Sequence, residues 1–206
     1  MKRGQLVLAT RNRGKVRELK DLLARLPLEV KSIEDFPELP ELRETGTSFW
    51  ENARSKALTV YQYTKLPSIA DDSGLEVDVL QGAPGVYSAR YAGANASDAE
   101  NNRKLLADLT GVPPEERSAR FRCVICLVLP GIIIEYTEGI CEGRIGLEPR
   151  GKNGFGYDPI FLVGPDFQKT MAELELEEKN AISHRSKAYR RLQPLLLERL
   201  LMSGED

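Results

Sequence analysis

A threonine, an asparagine and a lysine stand in the run Thr10-Arg11-Asn12-Arg13-Gly14-Lys15. The run follows the apolar segment Gln5-Leu6-Val7-Leu8-Ala9 and precedes Val16, Leu19, Leu22, Leu23 and Leu26 at helical spacing. A strand that turns into a helix aims free backbone N–H groups outward at the helix start, where the helix dipole also favours an anion. Thr10 and Asn12 add side-chain donors there, and Arg11, Arg13 and Lys15 add positive charge. Such a set suits a chain of phosphates. Its glycine spacing differs from the GxxxxGK phosphate loop, and taken alone the run is better read as an N-capped helix with a solvated basic face.

Carboxylates gather at two places. Ile69-Ala70-Asp71-Asp72-Ser73-Gly74 puts adjacent acids just past an apolar strand, and Glu44-Thr45-Gly46 precedes a helix that carries Glu51 and Lys56. Magnesium takes hard oxygen ligands, commonly one or two carboxylates plus substrate phosphate oxygens. An Asp-rich turn with Ser73 and Gly74 explains the first cluster equally well, and Lys56 reads as an ordinary solvated lysine unless Glu44 meets another carboxylate in space. A last group combines Gly154-Phe155-Gly156-Tyr157-Asp158-Pro159 with Ser183-His184-Arg185. Aromatics on a glycine-rich loop can lie against a flat base, because glycine lets backbone approach closely. Arg185 offers donors only, which suits a carbonyl on a base edge. Singly, these residues read as core aromatics and a surface arginine.

The elements that must position these groups alternate between strands and helices. Gln5–Ala9 and Leu28–Ile33 read as strands around the first helix. Asp35–Leu42, acidic with Pro37 and Pro40, reads as a loop. Ser48 with Glu51 fits a capping box for a helix to about Tyr63, with Phe49, Ala53, Ala57 and Val60 inward. Ser68–Ala70 reads as a short strand entering an Asp71–Gly74 turn, and alternating Leu75, Val77 and Val79 as a further strand. Gln81–Ala96 is glycine- and alanine-rich loop, and Asp98 is placed to cap a helix holding Leu105, Leu106 and Leu109. Arg120–Leu129 and Ile132–Cys141 form a hairpin pattern around Pro130-Gly131. Ile160–Val163 is another strand, and Ser183–Leu200 a final helix that Pro194 should kink or divide. The pattern predicts an α/β fold around a central sheet, in one domain across residues 1–206.

With 29 basic against 31 acidic residues, the chain lacks the basic surplus usual in proteins that track a nucleic-acid backbone. No nucleic-acid partner is therefore expected. Its longest later apolar stretches, Val124–Leu129 and Ile132–Ile134, are too short to span a bilayer, so no membrane partner is expected either. The opening residues do not resemble a signal peptide, since charge follows Gln5–Ala9 at once. Cys123 and Cys126 have CxxC spacing, but on a strand they point to opposite faces, and His184 is the only histidine. Buried unpaired thiols, a reducing compartment and a cytoplasmic enzyme are the expectation.

Six motifs then stand together in order: Thr10…Asn12…Lys15, Glu44-Thr45-Gly46…Glu51-Asn52-Ala53, Ala70-Asp71-Asp72-Ser73-Gly74-Leu75, Gly82-Ala83-Pro84-Gly85-Val86-Tyr87-Ser88-Ala89-Arg90-Tyr91, Gly154–Pro159, and Ser183-His184-Arg185. In this order the chain resembles the inosine/xanthosine triphosphate pyrophosphatase family, the Ham1-like house-cleaning nucleotidases, from Leu6 to about Lys187. The resemblance implies an elongated two-lobed fold around a long mixed sheet with flanking helices, with the active site in the cleft between lobes. It implies a homodimer and Mg2+ as cofactor. It also implies roles: Thr10, Arg11, Asn12, Arg13, Gly14 and Lys15 as the phosphate-binding turn, Glu44 and Asp72 as magnesium ligands, and Asp72 with Lys15 as catalytic groups. Lys56 and Ser73 match substrate-contacting positions, Phe155, Gly156, Tyr157 and Asp158 the nucleoside loop, and Lys179, His184 and Arg185 the base- and phosphate-contacting residues. Arg11 stands where similar sequences often have glycine, and strain is expected if that position needs a positive φ.

The implied reaction is hydrolysis of ITP, dITP or XTP to the monophosphate and pyrophosphate, cleansing the nucleotide pool. Asp72 would orient or deprotonate the attacking water, and Arg185 would favour a C6 carbonyl over an adenine amino group. A Maf-like pyrophosphatase and a nucleotide sensor without turnover are the rival readings. Phe155–Asp158 and Ser183–Arg185 oppose the first, and the joint presence of Lys15, Glu44, Lys56 and Asp72 opposes the second.

Overall fold

The computed structural model describes residues 4–201. Its helices and strands run β1 (Gly4–Leu8), α1 (Arg13–Leu23), β2 (Leu28–Ser32), α2 (Phe49–Thr64), β3 (Ser68–Val77), α3 (Asp98–Asp108), β4 (Ser118–Leu129), β5 (Ile133–Ile145), β6 (Phe161–Val163), β7 (Lys169–Thr170), α4 (Leu176–Ile182) and α5 (His184–Leu196). One seven-stranded sheet has the order β2-β1-β3-β4-β5-β6-β7. The sheet is mixed: β1 pairs in parallel with β2 and β3, whereas β6 pairs antiparallel with β5 and β7. This is the expected α/β class.

The chain divides into two compact units. The first holds the chain as far as Asp72, Cys123–Gly139 and the chain from Arg185; the second holds Ser73–Arg122 and Ile140–His184. In the first unit, Leu6, Val7 and Leu8 of β1 are all fully buried, as expected of a parallel strand covered on both faces. Leu19 and Leu23 of α1 and Ala188 and Leu192 of α5 pack with Ile69, Ile125 and Leu127 in its core. Helix α2 takes the other face, where the Ser68 hydroxyl donates to the Ala57 carbonyl at 2.7 Å. The second unit's core joins Leu75, Val77, Leu105, Leu109, Phe121, Phe161 and Met171. Each fully buried leucine or phenylalanine contributes about 1.5–3 kcal/mol.

Several expectations change. Asp71–Gly74 is not a turn between two strands, because β3 runs unbroken from Ser68 to Val77. The strand ends there, and Val79 sits in a 3-10 turn, 43% exposed. Ser48 does cap α2, accepting from the Glu51 N–H, but the Glu51 carboxylate reaches back to Thr47, whose N–H and hydroxyl donate at 2.7 and 3.0 Å. Ser97, not Asp98, caps α3. Pro194 lies inside α5, which continues to Leu196 before a π turn over Leu197–Leu201. Arg11 is not among the positive-φ residues, so it carries no backbone strain of that kind. Cys123, Cys126 and Cys141 are free and buried, as expected. Among the described residues no helix is long and apolar enough to cross a membrane.

Candidate active site

In the first unit the site begins at the start of α1. Asn12 is the N-cap: its Oδ1 accepts from the Lys15 N–H at 3.1 Å, and Thr10 Oγ1 accepts from the Asn12 N–H at 3.2 Å. Thr10 and Asn12 thus accept bonds that shape the turn, which still leaves the Thr10 hydroxyl and the Asn12 Nδ2 as donors. Arg11 and Arg13 are exposed and Gly14 is half-buried. Lys15 points back to the sheet, with Nζ 3.1 Å from Asp71 Oδ2.

Asp71 is fully buried. Besides Lys15, the Arg185 Nε and Nη2 both donate to its Oδ2 at 3.1 Å. Arg185 Nη1 donates to Glu18 of α1. Burial by itself would raise the Asp71 pKa, but Lys15, Arg185 and Lys56 outweigh it and hold this carboxyl well below the usual range. The Cys123 thiol, 4.0 Å from Asp71 Oδ2, is pushed up by burial and by that carboxylate, so it stays protonated. Arg185, expected to read a base, is 1% exposed and committed to two carboxylates. The reason is its place in the first turn of α5, packed against α1 and β3.

The next residue of β3 faces α2. Lys56 Nζ lies 3.3 Å from Asp72 Oδ1, 2.5 Å from Glu44 Oε1 and 2.8 Å from the Asp71 carbonyl. Lys56 is 5% exposed, not a solvated helix lysine. Asn52, also on α2, donates to Asp72 Oδ2 at 3.0 Å, and its own Oδ1 accepts from the Gly46 N–H at 2.8 Å. A Cβ on Gly46 would sit 2.7 Å from Glu51 Cβ and 2.8 Å from Asn52 Oδ1, so only glycine lets the Glu44 segment approach α2 this closely. Burial raises the Asp72 pKa, partly offset by Lys56 and Lys15 and reinforced by Glu44. Burial lowers the Lys56 pKa, but Asp72, Glu44 and Asp71 reverse that and leave it raised.

Among the ion pairs of the described residues, Asp71 meets Lys15 and Arg185, Glu18 meets Arg185, and Asp72 and Glu44 share Lys56; for Asp72, burial outweighs the pull of Lys56 and Lys15. The described residues contain no cluster of three or more His, Cys, Asp or Glu able to cage a metal. Two carboxylates with oxygen donors only, one of them half-exposed, nevertheless fit a magnesium ion that completes its shell with water and phosphate oxygens.

In the second unit the glycine-rich loop is tightly held. Asp158 is buried, and its Oδ2 accepts from the Phe155 N–H at 2.9 Å and from Lys179 Nζ at 2.5 Å. Lys179 Nζ also lies 4.8 Å from the centroid of the half-buried Phe155 ring. Tyr157 is 4% exposed and its hydroxyl donates to the Ser88 carbonyl at 2.8 Å, which makes it a core strut. Ser88 belongs to the Gly82–Tyr91 motif and accepts the Leu75 N–H at 2.9 Å, which ties that motif to β3. His184 is buried and stacks on Phe121 at 4.8 Å with 16° between the rings. Ser73, the unit's first residue, is half-buried.

The structure therefore gathers Lys15, Glu44, Lys56, Asp72 and Arg185 in the first unit, and Phe155, Gly156, Tyr157, Asp158, Lys179 and His184 in the second. Sequence reasoning gave no role to Asn52 or Glu18 and offered Asp71 only as one of two adjacent acids suited to a metal. Asp71 and Asn52 were visible as motif members. Glu18, three residues after Lys15 on α1, carried no signal.

A seven-stranded mixed sheet with buried lysine–carboxylate clusters at the start of α1 and along β3 defines the α/β class of this protein. The chain belongs to the Ham1 family, whose model matches residues 6–195. It is 53% identical over 188 residues to a dITP/XTP pyrophosphatase of Geobacillus kaustophilus, covering 91% of this chain and 92% of that one. It is 55% identical over 184 residues to a dITP/XTP pyrophosphatase of Geobacter sulfurreducens, covering 89% and 92%. Among solved structures, a HAM1 protein from Coxiella burnetii superposes with a TM-score of 0.85 at 47% identity, covering 95% of this chain and 99% of that one. The Staphylococcus aureus Ham1 protein gives 0.83 at 42% identity, covering 94% and 98%.

Proposed function

We propose that this protein hydrolyses non-standard purine nucleoside triphosphates, ITP, dITP and XTP, to the monophosphate and pyrophosphate, and so keeps them out of DNA and RNA. The carrying observation is the Lys56–Asp72–Glu44 cluster beside the Lys15–Asp71 pair, which sets two lysines and three carboxylates within one unit. The names of relatives above 50% identity over most of the chain point the same way.

In this reading the start of α1, with Lys15, receives phosphate oxygens, and Lys56 adds charge as the bridging oxygen leaves with pyrophosphate. Glu44 and Asp72 would hold magnesium, which when bound polarises the phosphate oxygens and stabilises developing charge. Asp72, fixed by Asn52 and Lys56, accepts the proton of the water that attacks the α-phosphorus. The P–O bond to the β-phosphate breaks as the new one forms.

The residues that match the nucleoside loop lie in the second unit. Phe155 is the stacking ring, since Tyr157 is enclosed and bonded to Ser88. Lys179 presents donors only at that ring, which suits the C6 carbonyl of hypoxanthine and xanthine and opposes the adenine amino group. The homodimer and the cytoplasmic setting implied by the resemblance belong to this proposal.

The deciding assay is pyrophosphate release from ITP, XTP, ATP, GTP and CTP, each with magnesium or with EDTA. Magnesium-dependent release from ITP and XTP alone is the expected result. Release chiefly from another nucleotide overturns the base assignment, and binding without release supports a sensor.

A further inference from the structure

Helix α3 has no part in the site as described so far, yet it grips the peptide of Gly156 from both sides. The Gly156 N–H donates to Asp98 Oδ2 at 2.7 Å, and the Gly156 carbonyl accepts from Asn102 Nδ2 at 3.1 Å. Asp98 and Asn102 are four residues apart on α3, hence on one face and one turn removed. Gly156 has φ +62°, so the loop bends through a left-handed conformation where few other residues fit. Its two flanking residues are fixed separately: Phe155 N–H by Asp158, and Tyr157 hydroxyl by Ser88. The N–H and carbonyl of Gly156 itself are both held by α3, while the Phe155 carbonyl accepts from the Asp158 N–H at 3.2 Å.

Asn102 is 5% exposed, and its Oδ1 makes no hydrogen bond. A buried amide with half its capacity unmet contributes little to stability. The neighbouring Asn101 repeats the arrangement on a second loop: its Nδ2 donates to the Ala89 carbonyl at 3.2 Å, and its Oδ1 accepts from the Ala92 N–H at 2.8 Å. Two adjacent asparagines in the interior of a helix, where asparagine is an indifferent former, both serve as loop holders.

We infer that Asp98 and Asn102 are positioning residues for nucleobase recognition: by clamping the Gly156 peptide they set the plane of the Phe155 ring against the purine. This rests on the reading of Gly154–Asp158 as the nucleoside loop. The clamp acts on base binding and leaves phosphate binding and the chemical step alone.

The test uses the full chain with magnesium: wild type, Asn102→Ala, Asp98→Ala and Asp98→Asn. The readouts are KM and kcat for ITP and inhibition by inorganic tripolyphosphate, which has no base. Unfolding midpoints within a few degrees of wild type establish that each variant is folded. The alanine variants are expected to raise KM for ITP by about two- to tenfold, the usual consequence of one lost hydrogen bond. Their kcat and tripolyphosphate inhibition should stay within about twofold of wild type, a range set by the same scale. Asp98→Asn keeps an acceptor oxygen and should restore KM. Unchanged KM in both alanine variants overturns the clamp, as does a parallel loss of kcat or of tripolyphosphate inhibition. A wild-type protein inactive on ITP overturns the parent reading and this one with it.

Discussion

Asp71 and Asp72 are consecutive residues of β3 and turn to opposite faces of the sheet: Asp71 meets Lys15 and Arg185, and Asp72 meets Lys56 and Asn52. The period of two in a strand makes this unavoidable. It gives two neighbouring carboxylates opposite environments, one saturated with positive charge and held ionised, the other buried and short of it. Asp71 is thereby an anchor for Lys15, and the proposed function gives the proton transfer to Asp72.

Asp72→Asn should lower kcat for ITP by about 10²- to 10⁴-fold, the usual worth of general-base help. Nucleotide binding, read by calorimetry, should persist, because the Lys15 and Lys56 charges remain. A variant with near-normal turnover would remove Asp72 from the proton transfer.

Glu44→Gln should raise the magnesium concentration needed for half-maximal rate while leaving the protein folded, since Glu44 is half-exposed. EDTA should abolish activity in wild type and variant alike. A magnesium titration that coincides with wild type would argue that Glu44 serves only to place Lys56.

Asp71→Asn leaves Arg185 and Lys15 facing a neutral amide in a fully buried position, and breaking a buried pair in this way costs about 3–5 kcal/mol. The urea midpoint should fall with an unchanged slope. Arg185→Met removes one cation from each of Asp71 and Glu18, so it should lose stability and lose ITP and XTP activity together. A folded, stable Arg185→Met with altered base preference would show that the guanidinium leaves its carboxylates to read the base.

Phe155→Ala should weaken ITP by about 1–3 kcal/mol, the range for base–aromatic stacking. Tyr157→Phe removes one hydrogen bond to Ser88 and should cost about 1 kcal/mol of stability with base preference unchanged. Reversed outcomes in kinetics and melting would exchange the two roles.

Glu51, Glu100 and Glu173 each accept a backbone N–H, from Thr47, Ser97 and Thr170, and those bonds hold each pKa below the usual 4.5. A depressed carboxyl stabilises the fold above its unfolded pKa and loses that contribution as pH falls through its folded value. The three turns should therefore be intact at neutral pH and loosen only well into acid. NMR titration should place all three carboxyl transitions below 4.5, with the Thr47, Ser97 and Thr170 amides shifting in step. Amides that ignore the carboxyl transitions would refute the coupling.

The local order of this protein was written in its residue types. Leu19, Leu22 and Leu23 at helical spacing, Ser48 before Glu51, and the unbroken apolar run of β1 specify their own elements through contacts a few residues long. The ordered motifs likewise contain Lys15, Glu44 and Asp72, and Lys56 follows on the helix after Glu44. What the chain could not disclose depends on residues far apart in sequence. Asp71-Asp72-Ser73-Gly74 has the composition of a turn, and only pairing within the sheet keeps it extended and sends its two acids to opposite faces. Arg185 has the chemistry to read a base, and only the packing of α5 beside α1 and β3, across 114 and 167 residues of chain, commits it to Asp71 and Glu18. A side chain's type fixes which partners it can take, whereas the tertiary fold decides which of them it meets.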